Sequence, residues 1–284
     1  MPESLVVNLV SESTIPFQYL RGHHLYRLFL ALISTVDTDL AHSLQTHRYH
    51  GFALSPLQIA SQPQPASARN LKFLLPPQRS PFQYANKSVP AGSHCWWRLA
   101  LLDDVLFAHI GPRLKQTVAR KTWYLGPSKL HVTNFVPVNS HEWASHNSYQ
   151  QLYKQASDRN RQITIQLLTP AVFHQGKYAS PLPSRDALFH SLRRCWNRYS
   201  GLVFAPNTIL PITVQTFNLR TVPLALGNSK TIVGCLGELT FQILENTDPL
   251  VIKRINALTD FSRYCGIGDK THLGLGMVHI KATK

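Results

Sequence analysis

Three of the chain's 14 histidines, His42, His47 and His50, fall in one short stretch. Imidazole changes charge between about pH 5 and 8, so such a group suits either proton transfer or metal ligation. Ligation of a hard metal fits poorly, because Asp and Glu number 14 and no carboxylate set matches these histidines. A second chemical signature closes the chain. In Tyr264-Cys-Gly-Ile-Gly-Asp-Lys-Thr-His-Leu-Gly-Leu-Gly276, the residues Gly266, Gly268, Gly274 and Gly276 form G-h-G-x5-G-h-G, with Lys270 and His272 between the pairs. This is neither of the common nucleotide loops. A dinucleotide fingerprint runs from strand to helix and a phosphate loop needs G-x-x-x-x-G-K-S/T, whereas here position 271 is Thr and the order is helix to strand. Glycines in such number admit positive φ and a very close neighbour. That neighbour is either the protein's own packing or the backbone of a bound polymer, with Lys270 and His272 supplying charge or hydrogen bonds.

Charge favours the polymer. Lys and Arg total 29, for a net charge of +15 and a pI near 9.9. A basic surface concentrates phosphates and makes affinity fall with salt, so the expected partner is a nucleic acid. Charge alone does not choose RNA over DNA. Cys95, Cys195, Cys235 and Cys265 lie far apart, without zinc-finger spacing, and read as small buried hydrophobes. Met1-Pro2-Glu3-Ser4 carries no secretory pattern, and no apolar run approaches about 18 residues. The expectation is a cytoplasmic protein with no membrane contact, no metal and no cofactor.

The elements that must position these residues follow from periodicity. Residues 5–10 read as a buried strand. Over residues 23–34, Leu25, Leu28, Phe29, Leu32 and Ile33 recur at helical spacing and leave His23, His24 and Arg27 off the stripe. Asp37 or Thr38 caps a short helix over 39–45, and a strand follows over 51–57. Residues 58–92, rich in proline, read as loop with a hairpin near 71–75. A strand over 94–102, a helix from Asp103 or Asp104 to about 115 and a strand over 130–138 complete the first half. After polar residues 139–160, with a helix at 149–156, the pattern repeats. It gives a strand over 161–168, a helix capped by Ser184 and reaching Arg198, strands over 212–217 and 236–244, a helix over 248–264 and a last strand over 277–281. Trp96, Trp97 and Trp196 are assigned to cores. The economical architecture is α+β, with two β-α-β-β-α-β units over 1–140 and 141–284.

With the glycine motif in place, the sequence resembles the CRISPR-associated endoribonucleases of the RAMP superfamily that process precursor guide transcripts. The segments 163–173, Pro181-Leu-Pro183 and Ser191-Leu-Arg-Arg-Cys-Trp-Asn197 are similar to the opening strand, connector and first helix of that family's C-terminal domain. Leu20-Arg-Gly22 and Phe52-Ala-Leu-Ser-Pro-Leu57 are similar to its N-terminal domain. The resemblance implies two tandem ferredoxin-like domains and cleavage within a CRISPR repeat RNA. It also implies possible retention on the guide RNA hairpin beside other interference-complex subunits.

RNA carries its own nucleophile, so the protein need only align the 2′-hydroxyl, take its proton and protonate the leaving 5′-oxygen. Members of the resembled family place a catalytic His near the end of the second helix, where Gln45 stands here. The assignment therefore passes to His47 first and His50 second, with His42 one turn earlier. His24 and Arg27 are expected to face the same cleft and stabilise the phosphorane. RNA contacts are expected from Arg193, Arg194 and Arg198 on one helix, and from Arg120 and Lys121 beside Trp123 and Tyr124. The alternative is a non-catalytic relative that binds or caps the mature guide.

Overall fold

The computed structural model describes residues 1–46, 50–60, 87–118, 122–226 and 230–281. The hairpin expected near 71–75 lies outside them. In the first unit, strand β1 (Glu3–Ser11) is followed by α1 (Gly22–Ser34), α2 (Thr38–Thr46), β2 (Phe52–Leu54), β3 (Gln58–Ile59), β4 (His94–Leu101) and α3 (Asp104–Val118). Then come β5 (Trp123–Leu125), β6 (Ser128–Phe135) and β7 (Ser145–His146). The expected stripe of α1 is buried at all five positions. The Asp37 carboxylate accepts the Leu40 amide at 2.8 Å and so starts α2.

The second unit holds α4 (Tyr149–Gln155), β8 (Gln162–Ala171), β9 (Phe173–Gln175), β10 (Tyr178–Ser180) and α5 (Arg185–Tyr199). It ends with β11 (Ile212–Leu226), β12 (Lys230–Ile243), α6 (Pro249–Cys265) and β13 (Val278–Lys281). Ser184 caps α5 through the Ala187 amide, and Asp248 caps α6 ahead of Pro249 in its first turn. Sheet order is β2-β4-β1-β6 in the first unit and β11-β12-β8-β13 in the second, all antiparallel. Each unit thus places its strands second, third, first, fourth, which is the ferredoxin-like order, and the expected α+β tandem is what forms.

Several elements run differently from their sequence expectation. β11 and β12 are far longer than 212–217 and 236–244 because they support each other beyond the sheet, with Leu226 opposite Lys230. Pro223 is tolerated in β11 because that strand is the edge, where an absent N–H breaks no outer ladder. β8 continues through Pro170 to Ala171 because its register with β12 shifts there, an irregularity that accommodates proline. The short strands β3, β5, β7, β9 and β10 carry too few residues to show an alternation.

Alternation along β1 explains how the units join. Leu5, Val7 and Leu9 enter the core beneath α1 and α2, while Val6 points to the opposite face and packs with Trp143, Leu168 and Met277. Residues of both units therefore meet across the first sheet. Trp97 and Trp196 are fully buried, Trp96 is partly buried at this junction, and three of the four free cysteines are buried. No helix among the described residues is long and apolar enough to cross a membrane.

The second core centres on Trp196, stacked on Phe204 at 5.1 Å and meeting Tyr149 and Phe261 edge-on at 5.3 and 5.5 Å. Trp196→Ala is expected to cost about 3–5 kcal/mol of unfolding free energy. Urea titration followed by far-UV circular dichroism measures the loss.

Candidate active site at the docked glycine loop

The glycine loop leaves the end of α6 with Gly266 at φ 69° and its amide bonded to the Ser262 carbonyl. A 3-10 turn over Thr271–Leu273 follows Lys270, which is held at φ 58° in the left-handed region. The close neighbours foreseen for the glycines are parts of the chain itself. A Cβ on Gly276 would lie 1.8 Å from the Ile267 carbonyl oxygen, and φ there is 66°. At Gly268 the obstacle is the Val172 carbonyl at 2.4 Å, at Gly266 the Gly276 carbonyl at 2.9 Å and at Gly274 the Pro56 nitrogen at 3.1 Å. On the facing side, a Cβ on Gly22 would lie 2.0 Å from the Leu273 carbonyl oxygen. The loop of the second unit thus docks backbone to backbone on the start of α1 and the corner after β2.

This docking assembles a cluster from three places in the chain. The His272 and His50 rings are in contact, with centroids 3.8 Å apart and planes tilted by 39°, and Tyr26 of α1 meets them edge-on at 5.4 and 5.7 Å. The Tyr26 hydroxyl lies 3.5 Å from the Leu44 carbonyl. Burial, the neighbouring His50 and the Lys270 charge push His272 down to about 3. Burial also lowers His50, against a hydrogen bond to the Leu44 carbonyl and the charge of Asp269, which raise it. Both rings are therefore neutral near pH 7. The His50 Nδ1 is buried and has no partner among the described residues. Asp269 is held by His174 at 2.9 Å and Lys270 at 3.5 Å, which fixes the loop just before its 3-10 turn.

Of the residues singled out from sequence, His50, Lys270 and His272 come together. Arg27 is exposed, one position along α1 from Tyr26. His24 packs on His23 and Tyr19 at 4.0 and 4.9 Å, away from the His50 and His272 rings. The 200° between positions 24 and 26 of a helix accounts for the separation. His42 is exposed on α2. His47, Arg120 and Lys121 lie outside the described residues. On α5, Arg193 donates to the Phe204 carbonyl at 3.0 Å, while Arg194 and Arg198 are exposed. Tyr26, Asp269 and His174 were not foreseen. The available signal for Tyr26 was a polar-tipped aromatic beside, not within, the apolar stripe of α1. Among the described residues no group of three or more His, Cys, Asp or Glu is arranged to hold a metal ion.

Comparison with known proteins gives a consistent family. A family described as CRISPR Cas6 N-terminal domain matches residues 1–154, and one described as CRISPR-associated endoribonuclease Cas6 matches residues 165–278. No protein of curated function matches the sequence. Among solved structures, a Cas6 product complex is 25% identical with a TM-score of 0.75, covering 99% of this chain and 100% of its own. A Cas6 substrate-mimic complex is 22% identical with a TM-score of 0.71, covering 99% of each chain. Thermus thermophilus Cas6 is 23% identical with a TM-score of 0.68, covering 99% of this chain and 98% of its own.

The depressed His272 and His50 make a stability prediction. Unfolded histidine binds its proton near pH 6.5, whereas folded His272 does so only near 3. Between these values the unfolded chain binds more protons, so stability falls as pH drops below 6.5 and levels off near 3. His23, His24 and His141, also lowered by burial, contribute with the same sign. The thermal midpoint of the wild type should fall more steeply between pH 6.5 and 4 than that of His272→Gln, as measured by scanning fluorimetry across that range.

Proposed function

The chain belongs to the Cas6 family of CRISPR-associated endoribonucleases, and we propose that it cuts repeat RNA with the imidazole pair gathered by the docked loop. The observation that carries this is the close ring contact of His50 with His272, with Tyr26 at its edge. In the proposed reaction one neutral imidazole takes the 2′-hydroxyl proton as the oxygen attacks the adjacent phosphorus. The 5′-oxygen bond breaks, and that oxygen receives a proton from an imidazolium, leaving a 2′,3′-cyclic phosphate and a 5′-hydroxyl. The scissile phosphate supplies what the free site lacks. Its charge raises both imidazole pKa values, and two rings in contact take up one proton far more readily than two. Lys270 and Arg27 stabilise the phosphorane, and Tyr26 orients the His50 ring. His47 is proposed as a further proton carrier.

The repeat RNA is held by phosphate contacts from exposed Arg194 and Arg198, from Arg120 and Lys121, and from Lys270 and His272 of the loop, while Gly266, Gly268, Gly274 and Gly276 seat that loop against the chain itself. With Arg193 engaged by the Phe204 carbonyl, it contributes less than its exposed neighbours. We place the boundary of the two units just after β7, which returns to the first sheet, and before α4, later than the 140 expected from the sequence. After cleavage the protein stays on the 3′ hairpin, where other interference-complex subunits meet it.

The test is single-turnover cleavage of a repeat RNA in EDTA with mapped ends. His50→Ala and His272→Ala should each slow the reaction by roughly 10²–10⁴-fold while affinity changes little, and Tyr26→Phe should have a smaller effect. A 2′-deoxy nucleotide before the cut should abolish cleavage, and affinity should fall steeply with salt. Wild-type rates in both histidine variants would move the chemistry away from the loop, and a loss confined to His47→Ala would assign it there.

A further inference from the structure

Arg98 lies in the middle of β4, opposite Val6 of β1, and is 2% exposed. Its side chain leaves the first sheet on the face toward the second unit. Nε donates to Ser4 Oγ at 2.6 Å, and Nη2 donates to the carbonyls of Arg263 and, at 3.2 Å, Tyr264. The guanidinium also lies over the Trp143 ring at 5.5 Å. Among the described residues no carboxylate pairs with it. The charge is met instead by carbonyls of the last turn of α6, the negative end of that helix. A buried ion is a poor way to gain stability, since apolar packing of the same volume often does as well. What a fork of directed donors does supply is a fixed geometry.

That geometry reaches both supports of the glycine loop. The Arg98 amide donates to Ser55 Oγ at 2.9 Å, and the Arg98 carbonyl accepts from the Ser55 amide at 3.0 Å. Trp97 Nε1 donates to the Ser55 carbonyl at 2.8 Å, so the corner is held from a second strand position. Gly274 packs on this Ser55–Pro56 corner, and Gly266 directly follows the helix end that Arg98 grips. One residue therefore ties down both ends of the segment that carries His272. We infer that Arg98 is a positioning residue for RNA cleavage, setting how closely His272 seats against His50 and Tyr26. The inference rests on His272 being a proton carrier, as proposed above.

Arg98→Lys keeps the buried charge and the stem but loses the fork, and Ser4→Ala removes the Nε acceptor together with the hydroxyl's bond to the Trp143 carbonyl. Each variant is examined by thermal unfolding, RNA affinity, single-turnover cleavage and NMR titration of the His272 imidazole, assigned with His272→Gln. Arg98→Lys should bind repeat RNA within about threefold of wild type and cleave it ~10–100-fold more slowly, the scale expected for misplacement of about 1 Å. The His272 titration should move up toward that of an exposed imidazole, and Ser4→Ala should show both effects more weakly. An unchanged His272 titration overturns the inference, whether the rate is unchanged or falls only in step with affinity and thermal stability. Should Arg98→Lys fail to fold, Ser4→Ala decides by the same two readouts. If His272→Gln cleaves at the wild-type rate while Arg98→Lys still shifts the titration, the catalytic role of His272 fails and the positional link stands.

Discussion

A protein backbone can press on another backbone at van der Waals distance only where side chains are absent, and this molecule uses that freedom at the contact on which its site depends. Gly22 opens α1 against the Leu273 carbonyl, and Gly274 settles on the Ser55–Pro56 corner. Both contacts join the second unit to the first. A Cβ at Gly22 would push the loop off α1, and one at Gly274 would be opposed by its positive φ and the tight Pro56 corner, so either would loosen the contact of His272 with His50. The site is thus not a property of either ferredoxin-like unit. It exists because one unit ends in a loop thin enough to lie on the other.

Thin contacts need a stiff frame, and the frame is the first sheet, buried on both faces. Leu5, Val7 and Leu9 hold β1 to α1 and α2, while Val6, one residue out of phase, holds it to Trp143, Leu168 and Met277. Apolar burial of this kind is strong but non-directional, so it fixes that the units meet better than how they meet. Direction comes from polar bonds made in the same layer. Ser4 Oγ donates to the Trp143 carbonyl at 2.5 Å, Arg98 grips the α6 end, and Asn147 donates to the Tyr264 hydroxyl at 3.0 Å. Each joins parts of the chain far apart in sequence at a buried or partly buried position, where an unmade bond is expensive.

Periodicity exposes faces and leaves open which faces meet, and this sets what was legible in the sequence. The stripe Leu25, Leu28, Phe29, Leu32 and Ile33, the caps at Asp37 and Ser184 and the repeated β-α-β-β-α-β order all rest on neighbours within about four residues, and all form as read. The far reach of β11 and β12 depends on mutual pairing past Pro223 and Gly234, residues that read locally as strand ends. The same limit governs the site. The glycine motif announced a close neighbour, but only the fold identifies it as Ile267, Val172 and Pro56. His50 and His272 were each visible as chemistry, yet their contact is long-range and neither spacing nor charge encodes it. Tyr26 reads as an ordinary helix residue until both rings are set against it.

The chain carries a net charge of +15, and its candidate site keeps both imidazoles uncharged. These facts belong together. A polyanion drawn to the basic surface meets, at the loop, two neutral rings whose protonation is opposed by burial and by Lys270, and at His272 also by His50. Placing a phosphodiester there replaces water with a fixed negative charge, and the cost of protonating one ring falls as the phosphate arrives. In the proposed reaction the substrate therefore supplies the charge that creates its own general acid, while the second ring stays neutral as base because two rings in contact resist a second proton. Selectivity for the cut position then follows from where the duplex or strand lets a phosphate reach His50 and His272, a geometric condition set by the docked loop rather than by overall affinity.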